Sequence, residues 1–376
     1  MYLFKNILKL SITASLLLNG YLNAQTSATK IQSTSVPFLL ITPDARSGGL
    51  ANLHLGISPE SNDVFGNNAK LPLLSEKQNL TLNYTPWLSD IGLSDVYLIT
   101  AGYYKKINEK SCFSSSLKYF SVGDMVISDQ NGNILPSSKP YEYSLDLGYS
   151  LLLSDHLSIG AKLRYVYSKL INGSSINSGI NYFAGKTMAG DISIFYKQKK
   201  NLEGFHAGLV LSNLGGRISY SDQPNNKYLM PANFGIGIGY LKKLDEDNSV
   251  EFGIDVNKLL VPDFPTSNQN GEQDEYFSQS IVSSWFNSFK SSQSNSNMES
   301  FRISGGIEYS YNDRFYLRSG YQYGNEARGN GQYATFGASY KVQKIKFNFS
   351  YLVPSGTGIS KNPLSNTMRF GTSFSF

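Results

Sequence analysis

The sequence predicts an all-β protein, a 14-stranded antiparallel transmembrane β-barrel with an N-terminal plug segment. From about residue 79 onward, apolar and polar residues alternate in segments of about ten residues, the length that a tilted membrane-spanning strand needs. Beyond residue 24 the sequence contains no run of about 18 apolar residues, which a membrane-spanning helix would require. A chain of this kind can cross a membrane only as a closed barrel.

The last nine residues carry the clearest alternation. Met368, Phe370 and Phe374 share one face of a strand, while Arg369 and small residues share the other. In a soluble protein such a strand would promote aggregation, whereas in an outer-membrane barrel its aromatic face meets lipid and its polar face lines the lumen. Residues 367–376 are therefore predicted to form the last strand, which closes the barrel against the strand near Asn79.

Residues 1–24 are predicted to be a secretory signal peptide. Lys5 and Lys9 accompany an apolar stretch from Ile7 to Leu18, and Ala24 offers a small residue before the cleavage point. This segment is too short and too often interrupted by Ser and Thr to span a membrane as a helix. The predicted location of the mature chain is the outer membrane.

Residues 25–78 have a different composition and are predicted to form a plug, or hatch, within the barrel mouth. They carry four prolines, the pair Gly48-Gly49 and short apolar runs such as Phe38 to Ile41, without a strand pattern. A disordered tail would be poorer in apolar residues. The barrel is assigned to residues 79–376.

Fourteen strands are predicted in the barrel, an even number as in bacterial single-chain barrels. Their approximate ranges are 79–86, 94–105, 110–122, 140–153, 156–171, 186–198, 203–214, 231–243, 248–260, 300–311, 313–324, 331–342, 343–353 and 367–376. The connections alternate between short and long. The short ones are predicted to be periplasmic turns and the long ones extracellular loops, the longest at 261–299.

Strand parity predicts which side chains face the lumen. A Lys or Arg that faces lipid near the bilayer midplane costs about 2–4 kcal/mol, so the charged face of each strand must point inward. The predicted inward set is Asp146, Lys162, Arg164, Asp191, Arg302, Glu308, Arg318 and Arg369. Arg46 of the plug, with Arg164, Arg302, Arg318 and Arg369 of the wall, are the candidate contacts between lumen and plug. Gly235, Gly237 and Gly239 are predicted to face the lumen and to make room for the plug or for strand bending.

The 261–299 loop is rich in Ser, Asn and Gln but contains Trp285, Phe286 and Phe289. This spacing predicts a short amphipathic element. The three aromatic residues are candidates for partner or cargo docking. A lid that packs on the barrel's own rim is an equally good interpretation.

Catalytic, cofactor and metal signals are weak throughout. The formal net charge is +5, without the basic cluster of a nucleic-acid-binding protein. His54, His156 and His206 do not have zinc-site spacing, and Cys112 is the only cysteine. The sequence therefore predicts no catalytic residue, no cofactor, no metal and no nucleic-acid partner.

Several segments together resemble one family. They are Phe38 to Leu50, Tyr84 to Trp87, Ala101 to Lys105, Ser350 to Pro354, Asn362 to Leu364 and Asn366 to Phe370. They are similar to the PorV family, also called LptO, the outer-membrane barrel of the type IX secretion system of Bacteroidota, whose fold resembles the FadL fatty-acid channel. Asn67-Asn68 replaces the Asn-Pro that the family tends to carry, and Ser291 to Asn297 replaces its Pro/Gly-rich acidic stretch.

This resemblance implies a non-enzymatic role in protein secretion. The implied partners are the type IX translocon, cargo proteins bound through their C-terminal signal domain, and the sortase that attaches cargo to lipopolysaccharide. One alternative is a FadL-type transporter of hydrophobic small molecules, which would need an apolar lumen pocket. A second alternative is a lipopolysaccharide deacylase, which would need a nucleophile and a base near the external rim.

Overall fold

A computed structural model describes residues 32–88, 93, 95–124, 139–170, 181–222, 227–265, 271–290, 300–325, 331–353, 364 and 366–376. The predicted signal peptide, residues 25–31 of the predicted plug, and the Ser291 to Asn297 stretch lie outside these ranges.

Fourteen long strands of the described chain form one closed antiparallel barrel, as predicted. They are β1 (Gln78–Pro86), β2 (Val96–Lys106), β3 (Ser111–Val122), β4 (Tyr141–Leu152), β5 (Leu157–Lys169), β6 (Gly185–Lys197), β7 (Gly204–Gly215), β10 (Asn233–Lys243), β11 (Asn248–Leu259), β12 (Phe301–Tyr311), β13 (Phe315–Tyr323), β14 (Tyr333–Val342), β15 (Ile345–Leu352) and β16 (Met368–Ser375). Two more strands of two residues each, β8 (Ile218–Ser219) and β9 (Lys227–Tyr228), form a separate hairpin.

The barrel closes between its first and last long strands. Asn79 pairs with Ser375 and Tyr84 with Phe370, in an antiparallel register. Every other long strand pairs with its neighbours along the chain. β8 and β9 fall between β7 and β10 in sequence but are not part of the barrel sheet. Because no strand of the barrel is left with an unpaired edge, the aggregation hazard of the aromatic last strand disappears.

Side-chain alternation separates the two surfaces of the wall. Outward-facing residues such as Leu147, Ile254 and Phe347 are exposed, whereas inward-facing charged residues such as Asp146 and Arg318 are buried. On the outer face near one rim, tyrosines from neighbouring strands stack, with ring centroids 5.9 Å apart for Tyr119 and Tyr141. This is the distribution that lipid outside and a polar lumen inside require.

Residues 32–77 form an N-terminal segment that packs against the inner wall. It contains three short 3₁₀ helices, at Pro37–Leu40, Ser61–Val64 and Asn68–Leu73, and one short α-helix, α1 (Ala45–Gly49). Phe38, Leu50 and Leu71 of this segment are buried. We refer to it below as the lumen segment.

The two ends of the barrel differ. Short turns join β2–β3, β4–β5, β6–β7, β10–β11, β12–β13 and β14–β15 at one end, which we call the short-turn end. The long connections lie at the other, long-loop end. In the longest connection two helices follow each other, α2 (Glu272–Ser278) and α3 (Ile281–Asn287). Among the described residues, none of the helices has the length and apolar character needed to cross a bilayer.

Candidate functional site

Arg46 fastens the lumen segment to the barrel wall. It lies in α1, whose first turn is capped by Asp44, which accepts a hydrogen bond from the Ser47 amide at 2.8 Å. The Arg46 guanidinium lies 2.9 Å from Glu308 Oε1 and 3.4 Å from Glu251 Oε2, and it donates to the Ser58 carbonyl at 2.8 Å. These carboxylates offset the hydration free energy that the Arg46 guanidinium loses on burial.

The same network extends to two further strands on this side of the wall, β13 and β15. Glu308 also accepts a hydrogen bond from Arg318 of β13, and Glu60 of the lumen segment lies 3.3 Å from Lys346 of β15. Burial alone would raise the pKa of the Glu60 carboxyl, but Lys346 and Arg46 outweigh it and lower that pKa from 4.5 to about 2. Glu60 is therefore charged at neutral pH and ties the segment to the wall.

A second ion pair lies within the lumen segment itself. Lys70 is fully buried, and its Nζ lies 2.7 Å from Asp63 Oδ1 and 2.7 Å from the His54 carbonyl oxygen. Burial raises the pKa of Asp63 to about 6, although Lys70 opposes the shift. The lysine thus holds two stretches of the segment, near residues 54 and 63, at a fixed separation.

Arg164 forms a separate cluster on the wall. Its Nη2 lies 2.7 Å from Asp146 Oδ2 and 3.0 Å from Asp191 Oδ2, so its partners among the described residues belong to the barrel and not to the lumen segment. Lys162 beside it donates to the Phe65 and Gly66 carbonyls at 3.2 and 3.0 Å. Lys162 is therefore the residue of this cluster that contacts the segment.

The glycines of β10 lie where the lumen segment comes closest to the wall. A Cβ placed on Gly237 would lie 2.0 Å from Asp255 Oδ1 and 2.7 Å from the Gly56 nitrogen. Next to this contact, Asp255 accepts hydrogen bonds from the His54 and Leu55 amides at 2.7 and 2.8 Å. The lumen segment thus adds a backbone contact to the barrel at a place that only glycine leaves open.

Asn67 and Asn68 also anchor the segment to wall backbone. Asn67 donates to the Ile194 carbonyl at 3.1 Å, and Asn68 donates to the Ala161 carbonyl at 3.2 Å while accepting from Ser193 Oγ at 2.7 Å. The second Asn therefore supplies side-chain contacts that a proline at this position could not make.

Arg302 and Arg369 face a cavity of about 410 Å³ between the lumen segment and the wall near the long-loop end. Arg369 is 2% exposed and lies against Gly48 of α1. Among the described residues, neither arginine has a carboxylate within salt-bridge distance. This separates them from Arg46, Arg164 and Arg318, each of which contacts a carboxylate.

Two of the histidines lie near the short-turn end and the third lies in the lumen segment. His206 is fully buried near the short-turn end, where its Nε2 donates to the Leu202 carbonyl at 2.6 Å, and His156 lies at the same end. Burial lowers the pKa of the His54 imidazole in the lumen segment. Within the described ranges, no three His, Cys, Asp or Glu side chains cluster closely enough to hold a metal.

The long loop places an apolar stripe on its surface. Val282, Phe286 and Phe289 are 54%, 69% and 47% exposed, and the spacing of four and three residues puts them on one face of α3 and its last turn. Trp285 is half-buried. The Lys258 ammonium lies 5.0 Å from the centre of the Phe289 ring and links this turn to β11.

Sequence reasoning missed several residues of the site. Glu60, Asp63, Lys70 and Val282 were not among the predicted contacts. Val282 carries a recognisable signal, because it precedes Phe286 by four residues. That no described carboxylate pairs with Arg302 or Arg369 has no signal in the sequence, since it depends on which carboxylates the fold brings near them.

The sequence matches the family described as type IX secretion system protein PorV over residues 23–266, well over half of the chain. No match was found among curated proteins.

Solved structures share the fold at low sequence identity. The toluene transporter TbuX of Ralstonia pickettii is similar with a TM-score of 0.53 at 12% identity, over 89% of this chain and 98% of that one. The toluene transporter TodX of Pseudomonas putida is similar with a TM-score of 0.50 at 11% identity, over 87% of this chain and 95% of that one. The fold is thus the FadL-like 14-stranded barrel, and the chain belongs to the PorV family of type IX secretion system proteins.

Proposed function

We propose that this protein binds secreted cargo through its C-terminal signal domain at the type IX translocon and delivers it to the cell-surface sortase, without catalysing a reaction itself. The family and the barrel fold place the chain in the outer membrane and in the context of type IX secretion. The observation that carries the proposal is the exposed apolar stripe of Val282, Phe286 and Phe289 at the long-loop end.

An exposed stripe of this kind suits the docking of a polypeptide. Large apolar side chains on a polar loop are a feature of protein contact sites, where aromatic residues supply most of the binding free energy. The half-buried Trp285 and the contact between Lys258 and Phe289 would hold the loop in place for docking. In this proposal the long-loop end faces the cell exterior, the short-turn end faces the periplasm, and outer-membrane lipid surrounds the wall.

The lumen segment would act as a fixed plug in this function. Arg46, Glu60 and Lys162 connect it to strands on opposite sides of the barrel. Releasing it would leave several buried charges without partners, at a cost of about 3–5 kcal/mol for each broken pair. A plug so held suits a protein that carries cargo on its loops better than one that conducts solutes through its lumen.

The test is recovery of the cargo complex from native outer membrane. A tagged V282S/F286S/F289S variant should lose most of the cargo and sortase that the wild-type protein retains, because the stripe then offers no apolar contact. The matched control is I107S/L244S, which removes exposed apolar residues from turns at the short-turn end. Equal recovery of cargo by the stripe variant and the wild type would refute docking at this loop.

An alternative function is a channel for hydrophobic small molecules. Its support comes only from the similarity of the fold. The similar structures TbuX and TodX are toluene transporters. In this chain the described lumen face of the wall carries buried ion pairs, and the lumen segment packs against it, which opposes an apolar path. Mass spectrometry of lipid retained through purification separates the two functions, since a reproducible apolar ligand would favour the channel.

The deacylase alternative would need a nucleophile and a base near the external rim. The histidines of the barrel lie at the end opposite to the long loops, which opposes this alternative.

A further inference from the structure

An open groove lies on the outer surface of the barrel at the long-loop end, where β5 and β6 meet the hairpin of β8 and β9. Its volume is about 700 Å³. Three cations line it, namely Lys186 of β6, Arg217 before β8 and Lys227 of β9. The described lining contains no aspartate or glutamate, and the neighbouring stretches 171–180 and 223–226 contain none in the sequence. We refer to this site as the cationic groove.

Backbone contacts hold the guanidinium of Arg217 in place. Its Nη1 donates to the Lys227 carbonyl at 3.1 Å, and its Nη2 donates to the Tyr276 and Gln279 carbonyls, both at 3.1 Å. These acceptors are neutral, so they orient the charge without cancelling it. Lys186 and Lys227 are exposed. Within the described chain none of the three cations forms a salt bridge, so the groove carries three positive charges that no described carboxylate neutralises.

The other end of the same part of the barrel is arranged differently. In the β6–β7 turn, Lys199 lies 3.6 Å from Glu203 Oε2, and Lys200 lies 3.2 Å from Asp155 Oδ2 of the β4–β5 turn. Ordinary surface pairing accounts for those lysines. At the long-loop end Asp222 lies outside the lining of the groove. The excess of positive charge is therefore specific to the long-loop end.

The groove lies at the level where the wall leaves the hydrocarbon of the membrane. Tyr167 at its edge belongs to the outer row of stacked tyrosines, with its ring centroid 5.9 Å from that of Tyr141, and the Lys186 ammonium lies 5.9 Å from the centre of the Tyr167 ring. Tyrosine rings of this kind lie at the head-group level of a bilayer. Closer to the middle of the same outward face, Leu163 and Met188 are exposed. A lipid whose acyl chains lie along these side chains places its head group at the cations.

The charge of the groove narrows the class of lipid. A zwitterionic head group carries a cation of its own, which the three basic side chains would repel. A free anion in water would be held weakly, because salt screens exposed charges. An anionic lipid combines both sources of affinity, since its acyl chains keep it at the wall and its phosphate accepts charged hydrogen bonds from Arg and Lys.

We propose that the cationic groove binds the phosphate of an anionic glycolipid of the outer leaflet, with the acyl chains along the outer face of β5 and β6. Lys186, Arg217 and Lys227 contact the phosphate. Tyr167 and Phe183, which also line the groove, place ring faces beside the adjoining sugar.

This site deepens the proposed function. It rests on the orientation given there, with the long-loop end outside the cell, and it does not require cargo docking. Ile281, the first residue of α3, lines the groove as well. The bound head group would therefore lie beside the helix that carries the apolar stripe.

The test uses the purified full chain in phosphatidylcholine nanodiscs and native mass spectrometry of the lipid that it retains. The added probes, in equal amounts, are diphosphorylated lipid A, the same lipid A without its phosphates, and phosphatidylglycerol. We expect at least about tenfold greater retention of the phosphorylated than of the dephosphorylated lipid A, the effect of one hydrogen bond to a charged group.

Three results would contradict this assignment. Equal retention of the two forms of lipid A would overturn the proposal. Equal retention of phosphatidylglycerol and phosphorylated lipid A would overturn the choice of a glycolipid. Loss of lipid A on addition of an equimolar amount of inorganic phosphate would show that the groove holds a free anion instead.

Variants of the two exposed lysines locate the site. Lys186→Gln/Lys227→Gln should reduce retention of phosphorylated lipid A by at least about tenfold, because each basic side chain near a membrane surface adds a factor of about five. The matched control is Lys199→Gln/Lys200→Gln, which removes two exposed lysines from the short-turn end and should retain lipid as the wild type does. Unchanged retention in the groove variant overturns the proposal. Because the nanodiscs contain no cargo, a failure here is separate from a failure of docking at the stripe.

Discussion

At the residue scale, charge pairing explains how a polar lumen can be filled by a folded segment. Arg46 and Glu308 join the lumen segment to β12, and Glu60 and Lys346 join it to β15. Each charge loses hydration on burial, and only a close partner offsets that loss. Parity predicted that Glu308 and Arg318 face inward, but the identity of their partners depends on the path of the segment.

The pKa of Glu60 leads to a prediction about pH. Because folding lowers this pKa from 4.5 to about 2, the charged carboxylate stabilises the folded state above about pH 4.5, and that contribution is lost as the pH falls toward 2. Glu60→Gln should lower the free energy of unfolding at pH 7 and reduce its fall between pH 4.5 and 2. Urea unfolding of the purified protein at several pH values measures both effects.

Glu109→Gln is the control for this prediction, because it removes an exposed carboxylate from a turn at the short-turn end. It should leave the fall in stability between pH 4.5 and 2 unchanged. A Glu60→Gln variant with the full acid sensitivity of the wild type would mean that Lys346 and Arg46 do not hold this carboxylate in its charged form.

At the element scale, strand β10 illustrates why a barrel strand carries alternating glycines. Gly237 and Gly239 lie against Gly56 of the lumen segment, so the lumen face of the strand has no room for side chains there. The sequence predicted that these glycines face the lumen. The structure adds that the lumen segment packs against these glycines and fills the space beside them.

Gly237→Ala should therefore destabilise the protein. The new methyl group would overlap Asp255 and the Gly56 backbone, and such overpacking costs about 1–3 kcal/mol. The control is Gly305→Ala on β12, where an added Cβ meets no atom within 4 Å. Urea unfolding and limited proteolysis of the lumen segment measure the difference. Equal stability of the two variants would contradict the close contact.

The loop elements show where sequence periodicity no longer predicts secondary structure. An amphipathic element was predicted around Trp285, and the structure has α3 at Ile281–Asn287. The hairpin of β8 and β9 was not predicted, because strands of two residues contain no measurable alternation. The fourteen barrel strands were predicted to within two residues at each end, since each is long enough for the period to be read.

At the scale of the whole molecule, closure of the barrel joins residues at opposite ends of the chain. Thr81 of β1 pairs with Ser373 of β16, and both side chains face the lumen. Directly opposite residues in an antiparallel pair have Cα atoms about 4.5–5.5 Å apart, a separation that a disulfide can bridge.

A Thr81→Cys/Ser373→Cys variant should form an intramolecular disulfide on mild oxidation. The cross-link would join the two ends of the barrel and change the mobility of the unfolded chain on a non-reducing gel. Thr81→Cys/Ser375→Cys is the control, because it moves one cysteine by two residues along β16 and should cross-link far less. Equal cross-linking of the two pairs would refute the register. Cys112 is fully buried and does not compete.

The sequence by itself determined the barrel, its strand count and the inward set of charges, because period-two alternation and the high free energy of a charge in lipid act on each strand separately. It also indicated the family. Only the tertiary structure decided which charges of the wall and the lumen segment pair, why Asn68 holds the wall, and that the described lining of the cavity shared by Arg302 and Arg369 includes no carboxylate. These features depend on contacts between distant parts of the chain, and no local pattern encodes such distances.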